Sequence, residues 1–115
     1  PVHIEDRWIM VHAGLDFKAA DPLANEHALM WIRNWYDEID YEWLGERYIV
    51  HGHDRTTMPR ILAMRDQLDH LRVQNIDCGC FDLDTPGSGH LCAFDLDART
   101  LWFEPNADML HPWRR

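Results

Sequence analysis

The 115-residue chain is 46% hydrophobic and carries 11 Lys and Arg against 20 Asp and Glu, a formal net charge of −9. That apolar supply suits one ordered domain rather than a disordered segment. The acidic balance, with no basic cluster on any predicted face, argues against nucleic acid or an anionic membrane as a partner.

The first residues have no initiator Met and lead directly into a strand candidate at residues 8–11, so the chain reads as one entered in the middle of a larger sheet. No apolar run approaches the roughly 20 residues that span a bilayer, and no signal peptide precedes this strand. A soluble, cytoplasmic protein is therefore expected. The strand ends in His12-Ala13-Gly14. Asp21 followed by Pro22 has the form of an N-cap and a first helical position. Ala24, Ala28, Trp31 and Trp35 then recur at steps of four, three and four, predicting a helix over about residues 22–38 with one apolar stripe. Asp37, Glu38 and Asp40 would oppose the dipole at its end.

A second histidine-bearing strand is predicted over residues 47–50, ending in His51-Gly52-His53. Pro59 opens a helix over residues 60–71, with Ile61, Met64, Leu68 and Leu71 on one side. Strands follow at residues 73–77 and 81–83. Residues 91–96 and 100–103 read as a hairpin joined by Asp97-Ala98-Arg99. The tail from Asn106 onward has no clear period. Strands separated by a helix favour an α/β layered fold, and the final hairpin is expected to make its sheet mixed.

Cys78, Cys80 and Cys92 form an odd set without a pairing framework, as in a reducing compartment. Only one residue separates Cys78 from Cys80, which is not the usual structural-zinc spacing. Buried free thiols are the expected role and a structural zinc the alternative. Among eight histidines, His3, His27, His70, His90 and His111 lie in polar or terminal contexts where solvation is the default. His12, His51 and His53 sit at strand ends beside glycine, where open α/β sheets build their sites. A neutral imidazole there can give one nitrogen to a divalent metal while the other is fixed by a carbonyl or carboxylate. By the two-residue period of a strand, the His51 and His53 rings would share a face unless the turn rotates one away. On spacing alone, a metal site and satisfied core histidines are both open.

Five blocks stand in a familiar order: Val11-His12-Ala13-Gly14-Leu15-Asp16, Leu29-Met30-Trp31-Ile32-Arg33, Val50-His51-Gly52-His53, Asn75-Ile76-Asp77-Cys78-Gly79-Cys80 and Ala93-Phe94-Asp95-Leu96-Asp97. Over about residues 8–104 the chain resembles calcineurin-like metallophosphoesterases, specifically the bacterial branch of serine/threonine protein phosphatases and symmetrical diadenosine tetraphosphatases. The resemblance implies a two-sheet mixed β sandwich flanked by helices. Residues 1–115 would be the C-terminal half of that single domain, about half of the full fold.

It further implies that His12 and His53 ligate one metal of a two-metal centre, with manganese first and iron or zinc as alternatives. Arg33 would contact phosphate, as a guanidinium can do bidentately, although on a helix wheel it lies opposite the apolar stripe, where a solvated face is the competing reading. His51 would orient the site rather than bind metal. Where wider relatives place a further histidine, this chain has Arg55, as in the protein-phosphatase-like branch. The family's first-half motifs, Gly-Asp-x-His, Gly-Asp-x-x-Asp-Arg-Gly and Gly-Asn-His-Asp/Glu, do not occur here, so no catalytic residue is expected within this chain.

The implied activity, hydrolysis of a phosphorylated protein, a small phosphoester or a dinucleotide, would need the missing N-terminal half. The 115 residues alone are expected to be inactive. The competing reading is a non-catalytic, acidic protein-interaction module with structural histidines.

Overall fold

In the computed structural model, which describes residues 2–107, the strand Val2–Glu5 (β1) pairs antiparallel with Trp8–Val11 (β2). The tight turn between them is made by Asp6 at φ 52° and Arg7, the positive φ that matches the right-handed twist of a hairpin. This edge strand was not among the predicted elements. Tyr48–His51 (β3) pairs parallel with β2, and Val73–Asn75 (β4) pairs parallel with β3, giving the order β1-β2-β3-β4.

Side chains alternate across this sheet and divide its apolar residues between two cores. Ile9, Val11, Ile49 and Val73 join Leu15, Leu29, Trp35, Ile39 and Leu44 on the helical side. Trp8, Tyr48 and Val50 face the other way, where Phe94 and Leu96 pack on them.

The helix predicted over residues 22–38 is broken into shorter pieces. Asp21 makes a turn instead of a cap, accepting from Leu23 N through its carboxylate. The N-cap is Asn25, whose Oδ1 accepts from Ala28 N at 3.2 Å, and the helix Glu26–Trp31 (α1) ends where Ile32 turns extended at ψ 144°. Asn34 then adopts φ 56°, and a 3-10 turn spans Tyr36–Glu38. Of the predicted stripe, Ala28 and Trp35 are buried, whereas Ala24 and Trp31 face solvent. Asp40 does not oppose a helix end. It caps the short helix Tyr41–Leu44 (α2), accepting from Glu42 N and Trp43 N, which is the favourable end for a carboxylate.

The helix expected over residues 60–71 is present as Met58–Asp66 (α3) and Leu68–Leu71 (α4), interrupted at Gln67. Residues 81–83 are not a strand. Asp82 Oδ1 accepts from Asp84 N and Thr85 N and ties that stretch into a turn. The hairpin is found as His90–Phe94 (β5) and Leu101–Pro105 (β6), paired antiparallel. It forms a separate two-stranded sheet, because the loop before it closes on itself through Gly89 N and Gly79 O at 2.9 Å. The first sheet is mixed through β1 instead.

The ribbon packs on the first sheet through Phe94, whose ring meets Trp8 edge-on with centroids 5.7 Å apart. The fold is thus α/β, a mixed four-stranded sheet with α1 and α2 packed on one face and an antiparallel ribbon on the other, where Leu68 of α4 also joins the core. Among the described residues no helix is long and apolar enough to cross a membrane. His111 and most of the unassigned tail lie outside the described residues.

Candidate metal centre

The C-terminal ends of β2 and β3 lie side by side, locked by Gly52 N donating to His12 O at 2.8 Å. The loop after β2 is fixed from the helical side, where Ala13 N donates to Leu29 O at 2.8 Å and the Trp35 indole N–H to Ala13 O at 3.2 Å. A Cβ on Gly14 would run into the Trp35 ring. Only glycine lets that buried indole close against the backbone beside His12.

The two histidines of His51-Gly52-His53 part company at the turn. Asp54 N donates to Gly52 O at 2.7 Å across His53, which takes φ 66°. This is the outline of a γ-turn, rare and strained for a residue with a side chain. The turn carries the His53 ring away from His51 and against His12, with centroids 5.1 Å apart, while Trp31 meets it edge-on at 5.8 Å. His53 Nε2 is buried without a hydrogen-bond partner. The other such side-chain atom among the described residues is Gln74 Oε1, in the core under α3.

His51 is fully engaged. Its Nδ1 lies 2.8 Å from Gly52 O, so this nitrogen carries the proton, and Nε2 at 2.6 Å accepts from the Tyr36 hydroxyl. Burial pushes the His51 pKa down, which keeps the ring neutral. Burial, followed by the charge of Asp54, pushes the Tyr36 pKa up, which keeps the donor proton on the phenol. Neither nitrogen of His51 is open to an ion.

Arg33 is not on a solvated helix face, because α1 has ended before it. Its guanidinium reaches Asp54 Oδ1 at 3.0 Å, directly after His53 in sequence. Asn75 Nδ2 donates to Asp54 O at 2.7 Å and fixes the same turn from β4. Both partners of the Arg33–Asp54 pair are about half exposed, so the pair is worth at most about 1 kcal/mol.

The histidine pair opens on a cleft of about 230 Å³ lined also by Asp77, Cys78, Cys80 and His90. Cys78 is buried and its thiol donates to Gly87 O at 3.3 Å. Burial raises its pKa, and raises that of Cys92 to about 11. Burial thus favours the protonated form of both thiols. Among the described residues, no group of three or more His, Cys, Asp or Glu side chains is arranged to hold a metal ion. What His12 and His53 offer is two imidazole rings in contact, one with an orphaned buried nitrogen, a donor type that suits divalent transition metals.

The sequence assigns no place in the site to Tyr36, Asp54, Asn75 or Trp31, and puts Trp31 only on the apolar helix stripe. Asn75 and Trp31 lie inside the blocks that carry the family resemblance, but Tyr36 and Asp54 leave no signal of period or spacing. Compared with protein families, with curated proteins and with solved structures, the chain shows no match.

Proposed function

We propose that His12 and His53 together hold one divalent ion, and that this chain supplies part of the site of a two-metal phosphoesterase. The observation that carries the reading is the buried, unpartnered Nε2 of His53 beside the His12 ring. A buried polar atom without a partner is destabilising by about 1–3 kcal/mol, and coordination would remove that penalty. In this reading the two sheets are about half of a metallophosphoesterase-like sandwich. The remaining ligands come from polypeptide beyond these residues, since two imidazoles fall short of the three protein ligands typical of catalytic zinc.

Divalent ions, manganese first and iron or zinc otherwise, would supply Lewis-acid stabilisation of charge developing on a phosphoryl group. The chain's own residues do the positioning. The strained turn holds the His53 ring against that of His12. His51, clamped by Tyr36 and Gly52, fixes that turn from beneath. Arg33 can exchange Asp54 for phosphoryl oxygens, since an exposed ion pair is easily given up. The substrate class is a phosphorylated protein, a small phosphoester or a dinucleotide.

The test is phosphomonoester hydrolysis with added manganese, in the longer polypeptide carrying the remaining family motifs. His53→Ala should lower the rate by more than about a hundredfold, beyond what loss of an outer partner of a ligand does. An unchanged rate would overturn the reading, as would full turnover by the 115 residues alone. A second reading, an acidic protein-interaction module, is favoured by the exposed apolar side chains Phe81 at 81%, Leu91 at 62% and Trp102 at 56%. It predicts no bound metal in elemental analysis and no effect of chelator on stability.

A further inference from the structure

A larger cleft, of about 610 Å³, lies beside Asp54, between the turn after β3 and the helix α3. Its volume is in the range of ordinary small-ligand sites. Its lining is electrostatically unlike the rest of this acidic chain. Arg55 and Arg60 both border it and are exposed. Among the described residues neither has a carboxylate within ion-pair distance, whereas Arg33, Arg65 and Arg99 each have one, and Arg47 and Arg72, which also lack one, are held by backbone carbonyls and aromatic rings. Asp82 feels Arg55 only as the weakest of the influences lowering its own carboxyl pKa.

Asp54, the one acidic residue in the lining, is already taken by Arg33 and has its backbone oxygen bonded by Asn75. Among the described residues, the side chains of Asn34, Thr56 and Gln67 make no hydrogen bond to the protein, so they offer uncommitted donors beside the two cations. Two guanidiniums without an ion-pair partner, beside neutral donors and with the nearby Asp54 carboxylate held by Arg33, suit an oxyanion.

We propose that this cleft binds a phosphoryl oxyanion between Arg55 and Arg60, at a site separate from the histidine pair. Arginine is suited to such a group because its planar fork matches two oxygens at once, where a carboxylate offers less charge. The site goes beyond the metal reading and does not depend on it, since none of its residues is a candidate metal ligand.

The test is titration of the 15N-labelled 115-residue chain with inorganic pyrophosphate, in chelator, followed by amide and guanidinium NMR shifts. O-phosphoserine serves as a second arm, carrying the same group on an organic molecule, and a glutamate-rich peptide as a third. Saturable shifts centred on Arg55, Thr56, Arg60 and Gln67 are expected with either phosphoryl compound, and the tighter of the two identifies a free or a carried phosphoryl group as the source. Arg55→Gln and Arg60→Gln should each weaken binding about tenfold, as loss of a charge-assisted hydrogen bond does. Arg65→Gln and His53→Ala should leave it unchanged.

Non-saturating shifts, equal loss with Arg65→Gln, or equally tight binding of the glutamate peptide would overturn the proposal. Loss of binding with His53→Ala would also overturn it, by moving the anion to the histidine pair. Because all these side chains are exposed or half-buried, the variants keep the fold and the comparison stays readable.

Discussion

The last residue of β3 and the turn just after it treat histidine in opposite ways. On the helical side His51 is sealed in, its Nδ1 on Gly52 O, its Nε2 on Tyr36, and Trp35 stacked edge-on 5.2 Å away. Just beyond the end of the same strand His53 is held in a strained turn with a buried nitrogen that has no hydrogen-bond partner, next to a solvent-exposed His12. One histidine is built for stability and the other is kept at a stability cost. Residues with strained backbone and unsatisfied polar atoms concentrate where function needs them.

The contrast can be broken hardest from the sealed side. Gly14→Ala would force a methyl into the Trp35 indole and should destabilise the fold by about 3 kcal/mol. Gly52→Ala meets only ordinary contacts with Asp77 at 3.6 Å and should stay within about 1 kcal/mol. Urea unfolding of the two variants measures the difference, and equal losses would contradict the tight packing assigned to Gly14.

Next comes His51→Ala, which removes a buried ring and strands the Tyr36 hydroxyl, for a loss of about 2 kcal/mol. His53→Gly should do the reverse. Glycine relieves the left-handed conformation, so stability should hold or rise by up to about 1 kcal/mol, while divalent-metal binding is lost. A His53→Gly protein that unfolded as readily as His51→Ala would erase the distinction between the two positions.

The smallest effect lies away from both. The Asp69 carboxyl is held below its ordinary 3.8 by the Tyr48 hydroxyl and then by Arg99. A carboxyl with a lowered native pKa stabilises above the ordinary value, and that contribution disappears as pH falls through the lowered one. Asp69→Asn should therefore melt slightly below the parent at neutral pH and together with it in strong acid. A gap that stayed constant across that range would rule out the ionic origin.

How much of this was readable from the chain depends on the range of the contacts involved. The strands at Trp8–Val11 and Tyr48–His51, the helical stretch ending at Leu71 and the hairpin all declare themselves by local period. The placement of His12 and His53 at adjacent strand ends follows from those same runs. The long helix fails because Asp21-Pro22 carries a helix-start signal that the chain uses as a turn, and because Ile32 and Asn34 leave helical geometry to swing Trp35 under Gly14. The clamp of Tyr36 on His51 and the pairing of Arg33 with Asp54 join residues 15 and 21 apart. No periodicity encodes such contacts. The separation of His51 from His53 rests on a single backbone angle, which the two-residue period of a strand does not anticipate.

The most direct test of the account is a long-range 15N NMR spectrum of the histidine rings, recorded on the 115-residue chain as zinc is added. The Nε2 resonance of His53 and one ring nitrogen of His12 should shift together. His51 should keep its Nδ1 proton and its Tyr36-bound Nε2 throughout. Zinc that left His53 Nε2 unmoved, or that instead perturbed Cys78 and Cys80, would contradict it.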